Sequence, residues 1–498
     1  MKISKIGVEA RDSVIRGANY LADAITSTLG PGGKNGLTEK SLRVSNDGKY
    51  LASEMELKDE FENLGLRKLR EATEKTNGAV GDGTTTATCL AQAVLKSALP
   101  FLEKQGSYGS KKTVMEVVNQ INKESAEVVA KLNAIAKQIT TEQELIESAT
   151  VSAEDKELGI LIGKAQYELG KEGILLAEKV NAKTTTAERV NGIVVENGFS
   201  TSLVINKPEK DCLELEDVPI ILTNHTIHDL SQAKDILSQL EISGKKKVVF
   251  YARAFESKAV QQCMSATEKG FEIYPVNVPY TDQVEVLKDI QAVIGGNFIN
   301  QEVSELSDMQ LSDIGYASKI VVKRMETVIA GKDNEERIKD RIAIRQKQYE
   351  ASESDFEKGN LKIRIAQLTN GFTYIKVGGL SDTERDYKFD KAEDACNAVR
   401  HAYQEGVVPG AGKALKIIAD ELPDTYILKK AIVAPYNQIM STIPQDFVIG
   451  DEVVDPVKVV RTCLENACSV AGTLATIGIV IANERPKKID ELLRNTNE

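Results

Sequence analysis

The 498-residue sequence has no tryptophan, only three histidines, and six scattered cysteines without a CxxC pair. Such cysteines indicate a reducing compartment and buried thiols rather than a disulfide framework. Cys463 and Cys468 lie five residues apart on an apolar helical pattern, which predicts core positions rather than redox activity. His225 and His228 could share a helix face, but without acidic or thiol partners they would make a poor metal site.

Long apolar runs are also missing. No stretch is apolar for long enough to span a bilayer, and the first residues lack the apolar run of a signal peptide. The net charge of −11 at pH 7 argues against nucleic acid or an anionic membrane as the main partner. Together with the cysteine pattern, these absences predict a cytoplasmic protein that binds neither nucleic acid nor membrane.

Hydrophobic periodicity divides the chain into a helical beginning, an α/β middle and a helical end. Apolar residues three or four apart predict helices within residues 1–140, and from about residue 173 short β-rich runs alternate with helical ones. Residues 334–360 are highly charged and predict a solvated helical segment. Helical patterns return after residue 390 and continue into the apolar run VAGTLATIGIVIAN at 470–483. Such an order predicts an inserted domain whose two flanks pack together.

One stretch, GDGTTTATCLAQAV at residues 81–94, begins a predicted helix with three threonines, although a branched β-carbon makes threonine a mediocre helix former. A helix N-terminus offers free N–H groups and a positive dipole end, so two glycines and three hydroxyls there describe a phosphate cradle. Asp82 would repel phosphate unless Mg²⁺ lay between them. The alternative is a plain Asp/Gly turn that caps a helix. The stretch is not a P-loop, because no GK[ST] follows.

Three further stretches accompany this one: TLGPGGKN at 28–35, SNDGKYLASEMELKDEFENLG at 45–65, and EDACNAVRHAYQEGVVPGAGKAL at 393–415. In order and spacing the four resemble the group I chaperonins, which are ATP-driven folding machines. Each glycine turn alone would be a weak signal, whereas GDGTTTAT is highly specific. The segments VINKPE, GKEGILLAE and VDPVKVVRTCLENACSVAG extend the resemblance along nearly the whole chain.

The resemblance implies a multidomain chaperonin subunit of α and α/β class. A helical equatorial ATP-binding domain would comprise residues 1–133 and 406–498, and a small intermediate hinge domain residues 134–196 and 373–405. The α/β apical domain, residues 197–372, would bind clients. This arrangement agrees with the helical, α/β, helical order that the periodicity predicts.

The resemblance also implies an ATP site that requires Mg²⁺. Asp82 would hold Mg²⁺, Asp47 would lie near the γ-phosphate and the attacking water, and Asp394 would orient and activate that water. The other implied nucleotide-binding residues are Thr28, Leu29, Gly30, Pro31, Gly83, Thr84, Thr85, Thr86, Gly410, Gly412 and Asp455. Without the resemblance, Asp394 would be interpreted as an ordinary solvated helix residue.

The implied partners are non-native polypeptides and further copies of the chain. Client polypeptides would contact apolar side chains of the central domain, namely Leu203, Val204, Leu230, Leu237, Val260 and Met264. The copies would form a ring homo-oligomer with seven-fold symmetry, and participation of a co-chaperonin is left open.

Several positions depart from the family pattern. Asn46 stands where the family usually has a phosphate-reaching lysine, and Ala411 replaces the middle glycine of a triple. The segment between residues 443 and 453 is shorter than usual and lacks the residues that normally contact adenine. Lys234 occupies a groove position that is usually leucine, and the tail KKIDELLRNTNE at 487–498 lacks Gly-Met repeats. These departures indicate a divergent member.

Two functions are therefore compared. The first is an ATP-dependent, ring-forming chaperonin that binds non-native polypeptide and hydrolyses ATP, which retention of Asp47, Asp82 and Asp394 favours. The alternative is a chaperonin paralogue that binds partners without hydrolysis, which Asn46 and the missing adenine segment keep open. An unrelated small-molecule kinase is disfavoured because no acceptor-substrate motif is visible.

Overall fold

The computed structural model describes residues 2–39, 44–102, 112–208, 211–279, 282–331, 334–444 and 446–483, so the tail discussed above lies outside the described residues. The helices are α1 Val8–Thr26, α2 Gly48–Glu54, α3 Glu60–Val80, α4 Thr84–Leu102, α5 Val114–Ile135, α6 Glu142–Ala153, α7 Lys156–Leu169, α8 Lys234–Ile242, α9 Ser257–Glu268, α10 Gln283–Ile294, α11 Glu335–Ala351, α12 Asp355–Asn370, α13 Asp382–Glu405, α14 Lys413–Glu421, α15 Leu428–Ala431, α16 Ala434–Thr442 and α17 Val457–Ala475. No helix within these ranges combines the length and apolarity needed to cross a bilayer.

The strands are mostly short. They are β1 Lys2–Ile6, β2 Gly36–Leu37, β3 Val44–Ser45, β4 Ile174–Lys179, β5 Thr186–Val190, β6 Gly192–Val195, β7 Leu213–Leu222, β8 Thr226–Ile227, β9 Lys247–Ala252, β10 Ala254–Phe255, β11 Glu272–Asn277, β12 Gly315–Val322, β13 Thr327–Ala330, β14 Phe372–Val377, β15 Val407–Pro409, β16 Val454–Pro456 and β17 Ile479–Asn483. Short 3₁₀ helices include Ser202–Val204 and Leu230–Ala233.

The chain forms two compact units, as expected for an inserted domain. The first unit contains residues 1–171, 175–187 and 375–498, and the second contains residues 172–174 and 188–374. The first unit therefore needs both ends of the chain. It holds two hydrophobic clusters, one built from α1, α3, α4, α5 and α17 and one from α6, α7 and α13. The division into equatorial, intermediate and apical domains stays a prediction, as do the residue boundaries of those domains.

Helices α1 and α3 approach each other closely because glycines face the contact. A Cβ on Gly17 would lie 1.7 Å from the carbonyl oxygen of Glu62, and a Cβ on Gly65 would lie 1.9 Å from that of Val14. Any larger side chain would push the helices apart and open the core around Leu66 and Leu21, both fully buried. The helical periodicity of the sequence is thus confirmed for this core.

The C-terminal apolar run differs from its prediction. Helix α17 ends at Ala475, and residues 479–483 form β17, which pairs antiparallel with β1 in the register Lys2 with Asn483 to Ile6 with Ile479. Along β17, Val480 and Ala482 are buried while the alternate residues are exposed. Alternating burial of side chains identifies a strand only when a partner strand is present. The partner of β17 is β1, at the other end of the sequence.

The second unit is built around a six-stranded mixed sheet of order β11-β9-β7-β12-β13-β6. Strands β11, β9 and β7 are parallel, and β12, β13 and β6 continue antiparallel. Both faces of the sheet are covered: α10 packs on one hydrophobic cluster, and α8 and α9 pack on the other. Double coverage explains why the second half of β7, residues 218–222, and β9 from Val248 onward are continuously apolar rather than alternating.

The charged segment after residue 334 is helical, as predicted, but it is not simply solvated. Arg341 and Arg345 of α11 are buried and both bind Asp289 of α10, whose side chain is 0% exposed. The distances are 2.6 Å from Arg341 Nε to Oδ1 and 2.5 Å from Arg345 Nη2 to Oδ2. Arg364 Nη1 of α12 reaches the same carboxylate at 3.2 Å. One aspartate thus joins three helices.

We expect Asp289→Asn to lower the free energy of unfolding of the second unit by about 3 kcal/mol, because the buried guanidiniums lose their counterion. The matched control is Glu335→Gln on α11. Its exposed carboxylate lies 3.7 Å from Lys339 and should contribute about 0.5 kcal/mol or less. Hydrogen exchange of the amides in β7 and β9 measures both changes. Equal protection in the two variants would contradict the assignment.

Candidate nucleotide site

The turn between α3 and α4 has the geometry of an anion site. Helix α3 ends at Gly81, whose φ of 67° is left-handed and whose N–H donates to Asn77 O at 2.9 Å. Gly83 follows with φ 76°, and Ala87 N–H donates to its carbonyl oxygen at 2.9 Å, the first bond of the α4 ladder. The N–H groups of residues 84–86 therefore precede the ladder and point out of the helix start. The predicted helix start at Thr84 is confirmed.

The threonines of α4 meet a second turn of the chain. A Cβ on Gly48 would lie 2.6 Å from Thr85 Oγ1 and 3.0 Å from Thr84 Oγ1, so a glycine lets α2 begin against these hydroxyls. Asp47 caps α2, and its carboxylate accepts a hydrogen bond from Lys49 N–H at 2.8 Å. This packing brings Asp47 to the N-terminus of α4.

Three carboxylates predicted from the sequence interact in this cleft. Burial raises the pKa of Asp82, and the charge of Asp47 raises it further, although a 2.5 Å hydrogen bond from Gly83 N–H opposes the shift. The pKa of Asp394 is raised well above its ordinary value by burial and then by the charges of Asp82 and Asp47. Asp82 and Asp394 are thus harder to ionise than free aspartates, because each is half-buried beside other carboxylates.

A fourth carboxylate joins them from the C-terminal part of the chain. Asp455 lies on β16 opposite Val408 of β15, and it accepts hydrogen bonds from the N–H groups of Ala411 and Gly412. Burial and the charge of Asp82 raise the pKa of Asp455 to about 6. Ala411 has a φ of 53°, in the left-handed region, which costs an alanine about 1 kcal/mol relative to glycine. Ala411 thus holds a left-handed conformation that glycine would adopt without this cost.

Helix α13 lies directly on the α3–α4 turn. Asn397 Nδ2 donates to Gly81 O at 3.4 Å, and His401 Nε2 donates to Val80 O at 3.2 Å. Lys391, Asp394, Asn397 and His401 are spaced three, three and four residues apart, so they share one face of α13. The structure thus shows Asp394 already beside Asp82. The sequence reasoning missed Lys391, Asn397 and His401, although their helical spacing from Asp394 was an available signal.

The turn after α1 lies against α16. Thr28 Oγ1 donates to Ile25 O at 2.8 Å, Leu29 N–H donates to Thr26 O at 3.1 Å, and Gly30 has φ 77°. A Cβ on Gly30 would meet Ile439 Cγ1 at 2.9 Å. Thr28 also lines a cavity of about 830 Å³, whose other walls come from α1, α2 and residues 35–39. Thr28 is the only predicted site residue among those that line it.

Cys463 of α17 contacts the turn between α3 and α4. Its thiol donates to Gly83 O at 3.2 Å, and burial, with the charges of Asp82 and Asp455, raises its pKa well above the ordinary value. Burial also raises the pKa of Cys468 to about 12. Both thiols are therefore neutral and buried, as predicted for core cysteines.

The cleft fits a magnesium ion only with help from a ligand. Within the described ranges no three His, Cys, Asp or Glu side chains converge to hold a metal ion by themselves. Mg²⁺ commonly takes one or two carboxylates and completes its shell with phosphate oxygens and water. Asp82 and Asp47 lie near enough to Asp394 for their charges to raise its pKa, and a cation would reduce this repulsion, so the residues present fit Mg²⁺ delivered with a phosphate.

The predicted client residues do not form one exposed apolar surface. Leu203 is 74% exposed, whereas Val204 and Leu237 are only 5% and 7% exposed and pack in the core. Leu230, Val260 and Met264 are half-buried. Their role in client binding stays a prediction.

Polar contacts join the two segments that would form the client groove. Leu230 N–H donates to Gln262 Oε1 at 2.9 Å, and Lys258 Nζ lies 2.5 Å from Asp229 Oδ2. The expected helix face shared by His225 and His228 is wrong. His225 follows β7 and its Nδ1 lies 2.7 Å from Thr223 Oγ1, while His228 Nδ1 lies 2.6 Å from Glu256.

Comparison with known proteins agrees with this architecture. The sequence model of the TCP-1/cpn60 chaperonin family matches residues 21–426. A crystal structure of the chaperonin gp146 from bacteriophage EL 2 (Pseudomonas aeruginosa), solved in the presence of ATP-BeFx, is similar with a TM-score of 0.72 and 19% identity, over 97% of this chain and 100% of that one. A second crystal form of gp146 gives a TM-score of 0.61 and 18% identity, over 97% and 99%.

The buried histidine predicts a pH dependence of stability. Burial lowers the pKa of His401 to about 3, so the ring stays neutral in the folded protein while the unfolded chain takes up a proton near pH 6.5. Stability is therefore lost as the pH falls from 6.5 towards 3, by about 1.4 kcal/mol per pH unit. In His401→Asn we expect the free energy of unfolding to fall less steeply between pH 6 and 4 than in the wild type, as measured by urea unfolding.

The control is His228→Asn, because the His228 side chain is 60% exposed and lies in the second unit. This variant should keep the wild-type slope. A wild-type slope in His401→Asn would show that the folded protein accommodates the charged ring.

Proposed function

Because the chain belongs to the TCP-1/cpn60 chaperonin family, we propose that it is an ATP-dependent chaperonin that hydrolyses ATP with Mg²⁺ and binds non-native polypeptide. The single observation that carries the ATPase proposal is the convergence of Asp47, Asp82 and Asp394 at the N-terminus of α4. A helix start rich in free N–H groups binds phosphate, and carboxylates beside it are unfavourable unless a cation and a reaction use them.

The phosphates would bind at the N–H groups of Thr84, Thr85 and Thr86, where the positive end of α4 attracts anions. Asp82 would hold Mg²⁺, which when bound supplies neutralisation of the phosphate charge. Gly410 and Gly412 would pass beside the sugar, with Asp455 positioned by the N–H groups of residues 411 and 412. Thr28 to Pro31 would close the phosphate side of the pocket.

Hydrolysis would depend on Asp394 and Asp47. In phosphoryl transfer the protein acts mainly by positioning the nucleophile and by electrostatics. Asp394 would accept a proton from the attacking water. Asp47, held by Lys49 N–H, would orient the same water. Docking of α13 by Asn397 and His401 would fix the position of the base.

The alternative is a paralogue that binds nucleotide or partners without hydrolysis. It is favoured by Asn46, which provides no positive charge where the family usually has a lysine, and by the left-handed strain at Ala411. Wild-type protein that binds MgATP but shows no turnover at millimolar MgATP would establish this alternative.

The assembly we propose is a ring of identical subunits with seven-fold symmetry. The six buried cysteines, all free thiols, are compatible with a reducing compartment, and we place the protein in the cytoplasm. Light scattering with and without MgATP gives the native mass and hence the number of subunits. Addition of a co-chaperonin to that measurement tests whether one binds.

For catalysis, we expect Asp394→Ala to retain MgATP binding and to lower kcat by about 10²-fold or more, because the lost group acts mainly in the transition state. The control is Glu393→Gln, an exposed neighbour on α13, which should hydrolyse ATP at the wild-type rate. Phosphate release and isothermal titration measure the two properties. Unchanged turnover in Asp394→Ala would refute the assigned base.

For clients, we expect a narrow specificity, because the groove segments are joined by polar contacts and carry the exposed Lys234. An apolar client would have to leave this ammonium solvated or paired. Lys234→Leu should broaden the suppression of aggregation across several unrelated denatured proteins. Lys269→Leu, which replaces an exposed lysine just beyond α9, is the control. If the wild type captures all substrates strongly and Lys234→Leu adds nothing, the proposal fails.

A further inference from the structure

One lysine lies among the carboxylates of the candidate site. Lys391 of α13 is only 8% exposed, and its Nζ lies 2.9 Å from Glu154 Oε1 and 5.8 Å from the centroid of the Tyr387 ring. A lysine is rarely buried to this extent without a reason, because removing an ammonium from water is costly. The Glu154 side chain is half exposed, so water weakens its attraction for the Lys391 ammonium.

Lys391 lies on the face of α13 that packs on the turn between α3 and α4. It precedes Asp394 by three residues, which places it on the same helix face, one turn away. That face is held on the turn by Asn397 at Gly81 and by His401 at Val80. Lys391 therefore lies one helical turn beyond Asp394 on this face of α13, and its ammonium contacts Glu154 at the edge of the site.

The charge of Lys391 acts on the site itself. Its ammonium interacts electrostatically with both Asp82 and Asp394, so it lies within range of the carboxylates that would surround the phosphates. Position 46, next to Asp47, is an asparagine and carries no charge. Lys391 on α13 is a cation whose charge acts on both Asp82 and Asp394.

We propose that Lys391 binds the terminal phosphates of ATP and replaces, from the opposite side of the cleft, the lysine that is absent at position 46. The proposal rests on the proposed ATP binding. Lysine binds phosphate as a point charge on a flexible stem, so the ammonium can reach phosphate oxygens without a fixed geometry. On nucleotide binding, Lys391 would exchange part of its interaction with Glu154 for the phosphate.

A purely structural role makes different predictions. If Lys391 only joins α13 to the end of α6 through Glu154, then Lys391→Met and Glu154→Gln break the same contact and should cause the same damage. If Lys391 binds phosphate, Lys391→Met weakens binding, whereas Glu154→Gln frees the ammonium and preserves or tightens binding. The two variants therefore separate the roles even if each lowers stability.

The test measures the affinity of the intact protein for the non-hydrolysable analogue β,γ-imido-ATP and for ADP, each with Mg²⁺, by isothermal titration. We expect Lys391→Met to lower the affinity for the analogue by about tenfold or more, because a charge-assisted bond to phosphate is lost. The affinity for ADP should fall by much less. Lys388→Met is the control, because Lys388 lies one turn earlier on α13 and pairs with Glu384 at 2.7 Å. It should leave both affinities unchanged.

A rescue variant makes the test specific for position 46. Adding Asn46→Lys to Lys391→Met should recover most of the lost affinity for the analogue. Equal weakening of ADP and analogue, equal damage from Glu154→Gln, or no recovery with Asn46→Lys would each overturn the inference. Wild-type protein that binds neither nucleotide would refute the proposed function and this inference with it, whereas wild-type binding with unchanged affinity in Lys391→Met refutes the inference alone.

Discussion

Repulsion between carboxylates in one half-buried cleft is the constraint on which the rest of the first unit depends. Asp82, Asp394 and Asp455 all have raised pKa values because burial and like charges disfavour ionisation. Such an arrangement costs stability in the absence of a ligand and persists only where the surrounding structure holds it. The cost is reduced by backbone donors, namely Gly83 N–H at Asp82 and two N–H groups at Asp455.

The fold opposes this repulsion from several directions. Helix α13 is attached to the turn by Asn397 and His401, and α17 supports it through the Cys463 thiol. The elements involved come from residues near 47, 82, 394 and 455, so the site exists only after distant parts of the chain have met. The insertion of the second unit between the two halves of the first makes the contacts of residues 394 and 455 with residues 47 and 82 long-range, and the entropy of closing that loop must be overcome before they form.

The second unit shows a different balance of forces. Its sheet is covered by helices on both faces, and one buried aspartate with three arginines connects α10, α11 and α12. The two segments of the proposed client groove, at residues 229–230 and 258–262, are joined by a hydrogen bond and an ion pair. A surface of this kind gains specificity from charge complementarity more than from buried apolar area. These contacts support the proposal that the clients are a restricted set.

Much of the architecture is determined by local sequence. The periodicity of α1, the Gly-Asp-Gly turn and the threonine start of α4 each follow from short-range geometry, and the predicted helical, α/β, helical order agrees with the two units. The tertiary structure decided the rest. The β1–β17 pair, the burial of Arg341 and Arg345, and the partners of Lys391 and His401 all depend on groups far away in sequence. The local sequence around a charged or apolar residue is the same whether its side chain faces water or another residue. Only the folded chain supplies that other residue, and the contact with it determines how much the side chain contributes to stability.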